Sequence, residues 1–242
     1  MKKGFVAESQ IKNVKRWGDY QNNTNVSLVN KYIYFAVDKV ANSTIKKHFF
    51  EMEYAPVNKA VLSLYDPRCS PLLSPYQLPY TPAELLIEGD FFKFAFVRNP
   101  YSRILSCYLD RVLTHTSRPS REFRKALNKS EFNFSDFVSV ICRQKPKLQN
   151  SHWRIQSDDI LFELIDFDFI GKFENLSEDL SFVHSKIFGT PFNADVLGGN
   201  FSPKKTSASE KIAEFYTQDL LDKVYDAYRK DFEFFGYEKI VL

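Results

Sequence analysis

The stretch that most restricts what this chain can fold into is "FFKFAFVRNPYSRILSCYLD", residues 91 to 110. "FFKFAFV" is an aromatic and apolar run of strand length, and it reads as a buried strand. Asn99-Pro100 follows at once, with proline at the helix position where its missing N–H costs nothing. A chain that passes so directly from a buried strand into a helix is building an α/β unit. "YIYFAV", Tyr32 to Val37, followed by "DKVANSTIKKHFFEM", repeats the arrangement, with Ile45, Phe49 and Met52 at helical spacing. Asn42 or Ser43 is placed to cap that second helix. With "FDFIGKFENL" as a further strand, the pattern predicts an α/β fold: a largely parallel sheet with helices on both faces. Ligands in such folds sit beyond the carboxyl ends of the strands.

The rest of the chain reads as one domain over residues 1–242. Residues 1–30 are polar and weakly periodic, and are expected to lie on the domain as a surface arm or short helix. Residues 55–90 hold Pro56, Pro67, Pro71, Pro75, Pro79 and Pro82, which exclude long helices and central strands and predict an ordered excursion. In the helix after Pro100, Ile104, Leu105, Tyr108, Leu109 and Val112 form the core stripe, and Arg103, Ser106 and Asp110 fall on another face. "TQDLLDKVYDAYRKDFEFFGYE" reads as one helix stopped by Gly236.

Composition narrows the function. A hydrophobic share of 44%, including 24 Phe, excludes a disordered chain, and a net charge of +3 is too mild to imply a nucleic-acid partner. No run reaches the roughly eighteen apolar residues of a membrane span. The N-terminal "MKKGFVAESQ" lacks the apolar stretch of a signal peptide, so a cytoplasmic protein is expected. Cys69, Cys107 and Cys142 have no metal-ligand spacing and read as reduced thiols. The pattern fixes no oligomeric state.

Two loops then stand out as anion sites. "VDKVANST" offers backbone N–H groups, the hydroxyls of Ser43 and Thr44, a helix N-terminus and the ammonium of Lys39. In the other unit, Arg98 ends the strand and Ser106 lies two turns into the helix. Each alone is weak evidence, but two in one sheet face the same edge.

"DKVANSTIKKHF" resembles the 5′-phosphosulfate loop of the carbohydrate sulfotransferases, and "FVRNPYSRILSCYLD" closely resembles their 3′-phosphate motif. "NSHWRIQS", "FDFIGKFENLSEDL" and "VYDAYRKDFEFFGY" are similar to later blocks of the chondroitin and HNK-1 type branch, in the same order, so the resemblance spans residues 32 to 237. It implies a P-loop-like sulfotransferase fold, 3′-phosphoadenosine 5′-phosphosulfate as co-substrate, no metal, and a carbohydrate acceptor. Arg98 and Ser106 would hold the 3′-phosphate, with Arg103 supporting that phosphate or bracing the helix. Lys39 and the segment Val40, Ala41, Asn42, Ser43, Thr44 would hold the 5′-phosphosulfate. Asp38, where proline is common, and Asn42, where a small residue is usual, depart from the family pattern.

Sulfuryl transfer needs charge stabilised on the leaving phosphate and a proton taken from the acceptor hydroxyl. Lys39 suits the first task. His152 is the leading base, because imidazole titrates near neutrality; alternatively His152 and Trp153 only anchor a loop. His48, Glu51 and Glu53 are rival bases, while His115 and His184 read as structural or surface residues. Glu174 either meets the adenosine or caps a strand end, and Lys204 and Lys205 either close over the phosphates or are solvated. Arg118, Arg121, Arg124 and Lys125 form a basic helix face that would also attract an acidic glycan. Two other functions stay open: a small-molecule kinase, although G-x-x-x-x-G-K-[ST] is missing, and a non-catalytic glycan-binding module.

Overall fold

In the computed structural model, which describes residues 6–57, 60–64, 66–113, 118–127, 132–192 and 207–242, four short strands form one sheet in the order β1-β2-β3-β4. They are β1 (Thr24–Ser27), β2 (Tyr32–Phe35), β3 (Phe92–Val97) and β4 (Phe169–Lys172). β2, β3 and β4 are parallel, and β1 lies antiparallel against β2. Tyr32, Ile33, Tyr34 and Phe35 are all at most 2% exposed. Successive strand residues point to opposite faces, so the sheet is covered on both.

Parallel neighbours need long crossovers. The β2–β3 crossover holds helix α3 (Asn42–Tyr54) and the proline-rich segment; it follows α1 (Glu8–Val14) and α2 (Trp17–Asn23) of the N-terminus. The β3–β4 crossover holds α4 (Pro100–Cys107), which widens into a π turn over Tyr108–Val112, then α5 (Arg118–Leu127), α6 (Phe134–Ile141) and the short α7 (Gln156–Asp159). After β4 come α8 (Leu176–Phe188), α9 (Ile212–Phe215), α10 (Gln218–Ala227) and α11 (Arg229–Phe235). Phe49 of α3 seats that helix on the sheet, its ring 5.2 Å from those of both Tyr32 and Phe94. Truncating so buried an aromatic costs about 3–5 kcal/mol. Gly171 lies opposite Phe96 in the β3–β4 ladder, where a Cβ would stand 2.5 Å from the Phe96 ring.

Four expectations change. Residues 1–30, where described, hold short helices laid on the domain, α1 and α2, as one of the two alternatives expected, but they also supply a sheet strand, Thr24–Ser27, and Ile11, Tyr20 and Val26 are buried. Neither Asn42 nor Ser43 caps α3; Ala41 takes that position in a left-handed conformation, and Asn42 Oδ1 accepts a bond from the Tyr34 hydroxyl at 3.3 Å. All eight residues of α4 are buried, Arg103 and Ser106 included, because α4 packs among α6, α9, α10 and α11. The C-terminal helix breaks at Tyr228 into α10 and α11. The break lets the Asp231 carboxylate accept the backbone N–H groups of Gln156 and Ser157, both at 2.8 Å, and so satisfy the start of α7. No helix among the described residues is long and apolar enough to cross a membrane.

Candidate active site

The parallel register places the turn after β2, the Arg98–Asn99 junction after β3 and the Phe173–Asn175 turn after β4 at one edge of the sheet. The first turn is under conformational strain. Lys39 and Ala41 have φ of 68° and 50°, a region that side-chain-bearing residues seldom enter and that clusters at functional sites. Among the described residues, the N–H groups of Val40, Ala41 and Asn42 donate to no backbone carbonyl. They lead into a thirteen-residue helix, Asn42 being its first residue, and that helix's dipole favours an anion at this end. Thr44 lies in the first turn of α3, and Ser43 beside it is exposed. Lys39 Nζ is held by Asp110 Oδ2 at 2.6 Å, so the ammonium has a parking place on the helix that follows β3.

Arg98 lies beside this turn. It is 5% exposed, and its Nη1 donates to the Lys39 carbonyl at 3.3 Å while Nε donates to Ser102 Oγ at 2.9 Å. Its guanidinium stacks 4.1 Å from the Phe173 ring centroid. Gln156 exchanges two bonds of 2.8 Å with the Arg98 backbone and locks the strand end. Burial pulls the Arg98 pKa down to about 10, an electrostatic cost that a bound anion would relieve. Ser102, Ser106 and Asp110 follow Arg98 at steps of four, so one side of this helical run carries a hydroxyl, a second hydroxyl and a carboxylate.

Arg103 is used differently. Its Nε donates to the Asp38 carbonyl at 2.9 Å, Nη1 to the Arg154 carbonyl at 2.7 Å and Nη2 to the Ser151 carbonyl at 2.9 Å. These bonds tie α4 to the first turn. They bring the 150–154 segment against that turn, and His152 comes with it. His152 Nδ1 is 2.8 Å from Asn150 Oδ1 and 3.6 Å from Asp38 Oδ2. Asn150 Oδ1 also accepts the His152 backbone N–H at 3.1 Å, so this amide atom is an acceptor and the ring proton sits on Nδ1. Nε2 then carries the lone pair. Burial lowers the His152 pKa, opposed by Asp38 and reinforced by Arg111, Lys39 and Arg103, so the ring is neutral at neutral pH. Burial pushes the Asp38 carboxyl up, but His152 in its protonated form, the Ser151 hydroxyl at 2.6 Å, Arg103 and Lys46 outweigh it, so its pKa lies below the ordinary carboxylate value.

The rival bases lie elsewhere. His48 is buried, bonded through Nε2 to His184 Nδ1 at 3.0 Å, and burial holds its pKa down to about 3. His184 in turn meets Thr190 Oγ1 at 3.0 Å, a structural chain rather than a surface residue. Glu53 accepts from Asn30, and Glu51 faces Lys47 at 3.7 Å. Glu174 accepts the Asn99 N–H at 2.9 Å and the Tyr237 hydroxyl at 3.0 Å, which ties the β3 and β4 ends together. His115, Lys204 and Lys205 lie outside the described residues. Asp110 and Ser102 escape a reading by motif, although the step-of-four spacing from Arg98 marks both. Among the described residues, no group of three or more His, Cys, Asp or Glu is gathered to hold a metal ion.

A strained strand-to-helix turn bonded to the buried Arg98 guanidinium, with a neutral imidazole beside the turn, marks this edge of the α/β sheet as the candidate site. Residues 22–238 match the sulfotransferase family, and the chain belongs to it. It is 26% identical over 228 residues to carbohydrate sulfotransferase 14 of Danio rerio, covering 86% of this chain and 60% of that protein. It is 27% identical over 167 residues to carbohydrate sulfotransferase 9 of Homo sapiens (60% of this chain, 37% of that protein). With carbohydrate sulfotransferase 12 of Mus musculus it shares 28% over 183 residues (61% and 40%). The chain therefore spans 60% or less of the length of these relatives. No solved structure matches it.

Proposed function

We propose that this protein transfers a sulfuryl group from 3′-phosphoadenosine 5′-phosphosulfate to a hydroxyl of a carbohydrate acceptor. The observation that carries the reading is the Arg98–Lys39 contact: one buried guanidinium bonds the backbone of the other anion turn, so the two sites are neighbours. A ligand with phosphates at both ends of one ribose matches that pairing. Arg98 and Ser106 would hold the 3′-phosphate, and Lys39 with the turn through Thr44 would hold the 5′ end. Arg103 holds the turn in place.

The donor supplies the sulfuryl group and an adenosine bisphosphate leaving group: an acceptor O–S bond forms as the S–O bond to the 5′-phosphate breaks. His152 Nε2 takes the acceptor proton, and the Asn150 carbonyl and Asp38 carboxylate stabilise the imidazolium that results. Lys39 leaves Asp110 to meet the charge that grows on the phosphate oxygen. The three unpaired cysteines accord with a reducing cytoplasmic setting, which we propose alongside.

Incubation with radiolabelled donor and a panel of saccharides tests the reading. Label on a saccharide, with release of adenosine 3′,5′-bisphosphate, is expected. Magnesium-dependent consumption of ATP, with no use of the sulfated donor, would overturn it.

A further inference from the structure

The stretch "YDAYRKDF", Tyr225 to Phe232, contains neither proline nor glycine, and its Ala227, Arg229 and Lys230 favour helix. Local preference would carry one helix straight through. The structure instead breaks at Tyr228, whose φ of −112° and ψ of 20° lie outside the helical region, with α10 before it and α11 after. A break that the local sequence does not ask for has a tertiary cause, and such departures collect where function is served.

Two buried side chains at the break supply that cause. The Tyr228 hydroxyl donates to the Trp153 carbonyl at 2.6 Å, and Asp231, one turn later, accepts the Gln156 and Ser157 N–H groups. A helix running through Tyr228 unbroken would re-aim both. Burial raises the Tyr228 pKa, so the phenol keeps its proton and can only serve this carbonyl as a donor.

The carbonyl it holds is the one directly after His152. Arg103 takes the Ser151 and Arg154 carbonyls from the side of α4, and the Asn150 carbonyl accepts the N–H groups of Trp153 and Arg154 at 3.0 and 2.9 Å. Trp153 Nε1 donates to Gln144 Oε1 at 2.8 Å, which anchors the indole beside α6. Tyr228 therefore completes a frame in which the peptides around the imidazole are gripped from two separate elements. Among the described residues no backbone N–H donates to the Trp153 carbonyl. Without the hydroxyl that peptide can turn, and the ring attached beside it loses its aim.

Resting on the transfer reaction proposed above, we infer that Tyr228 is a positioning residue for it: through the Trp153 carbonyl it holds His152 so that Nε2 meets the acceptor hydroxyl. The position of a reacting group is worth much of a rate, and a small displacement made far from the chemistry is enough to lose it.

Tyr228→Phe tests this, because it removes one oxygen from a fully buried ring and keeps the packing. Its kcat should fall about 10- to 100-fold, while affinity for adenosine 3′,5′-bisphosphate changes less than about twofold. In a His152→Ala background the same substitution should change kcat less than about twofold, since the group whose position matters is gone. Nitrogen NMR of the imidazoles gives a readout independent of turnover. Comparison with His152→Ala assigns the His152 signals, and the single Nδ1–H tautomer of wild type should become a mixture in Tyr228→Phe. Equal losses with and without His152, or a joint fall in kcat and nucleotide affinity, would mean that the hydroxyl supports the fold alone and would overturn the inference. If wild type sulfates no saccharide, the transfer reading falls by itself. The tautomer comparison then decides the rest: a mixture upholds the hold of Tyr228 on His152, and an unchanged tautomer overturns it.

Discussion

Replacing Arg98 by methionine isolates one of the two anion sites. The guanidinium is 5% exposed, bonded to Ser102 and to the Lys39 carbonyl, and stacked on Phe173, so an uncharged side chain of similar length can fill the same slot. A charge-assisted bond to phosphate is worth about 1.5–3 kcal/mol, and 1.4 kcal/mol is tenfold in affinity. Binding of adenosine 3′,5′-bisphosphate should therefore weaken about 10- to 150-fold. Adenosine 5′-phosphate, which lacks the 3′ group, should weaken less than about threefold. Stability in the absence of nucleotide should change little, because losing two hydrogen bonds is offset by removing a desolvated charge; a Tm within about 4 °C of wild type is expected. Titrating both nucleotides into both proteins by calorimetry at one ionic strength gives the coupling directly. An equal loss for the two nucleotides would refute the assignment, for it would mean that Arg98 acts only by holding the Lys39 carbonyl.

Other expectations follow from the same geometry. Lys39→Ala should lower turnover more than donor affinity, as separate kcat and Kd measurements will show, because its charge is needed most as the leaving group departs. Asp110→Asn should tighten nucleotide binding by up to about fivefold in calorimetry, since a partly exposed ion pair worth at most about 1 kcal/mol no longer has to be broken. His152→Ala should lose about 10²–10⁴-fold in rate while still binding nucleotide. The ascending limb of the kcat/KM–pH profile reports His152 losing its proton and should lie below pH 6.5; Asp38→Asn removes the neighbour that raises this pKa and should move the limb to lower pH. Arg103→Ala strips donors from three carbonyls and should cost about 3 kcal/mol or more, a Tm drop of about 6–12 °C by calorimetry.

The strands β2 and β3 are legible because their residues are buried on both faces and so read as unbroken apolar runs, and Pro100 marks the start of α4. β1 is not. Thr24, Asn25 and Ser27 are buried polar residues whose partners, such as the Tyr34 carbonyl for Asn25, come from tertiary pairing that no periodicity records. The site divides the same way. Motif spacing finds Arg98 and Arg103 together, but their different tasks depend on carbonyls at positions 38, 39, 151 and 154, far away in the chain. The step of four from Arg98 to Asp110 is visible in the sequence, while the partner it serves, Lys39, is 71 positions away. His48 and Glu51 share a helix face on paper, and only the packing of α8 shows that the imidazole is spent on His184.

The two arginines explain why a turn without glycine can hold a conformation that glycine would adopt more readily. Left to itself, a turn with left-handed residues at Lys39 and Ala41 would relax toward ordinary backbone angles. Arg103 grips the Asp38 carbonyl and Arg98 the next one, Lys39, so two consecutive peptides are clamped from the side of the β3–α4 unit. Every peptide bond described here is trans, and a trans peptide points its C=O and N–H in opposite directions. Fixing those carbonyls on the arginine side therefore turns the N–H groups of Lys39 and Val40 the other way. Arg103 also holds the Ser151 and Arg154 carbonyls, which carry His152 between them. One guanidinium thus sets the turn and His152 in a common frame, so the proposed transfer, which depends on positioning, would have its alignment built into the fold.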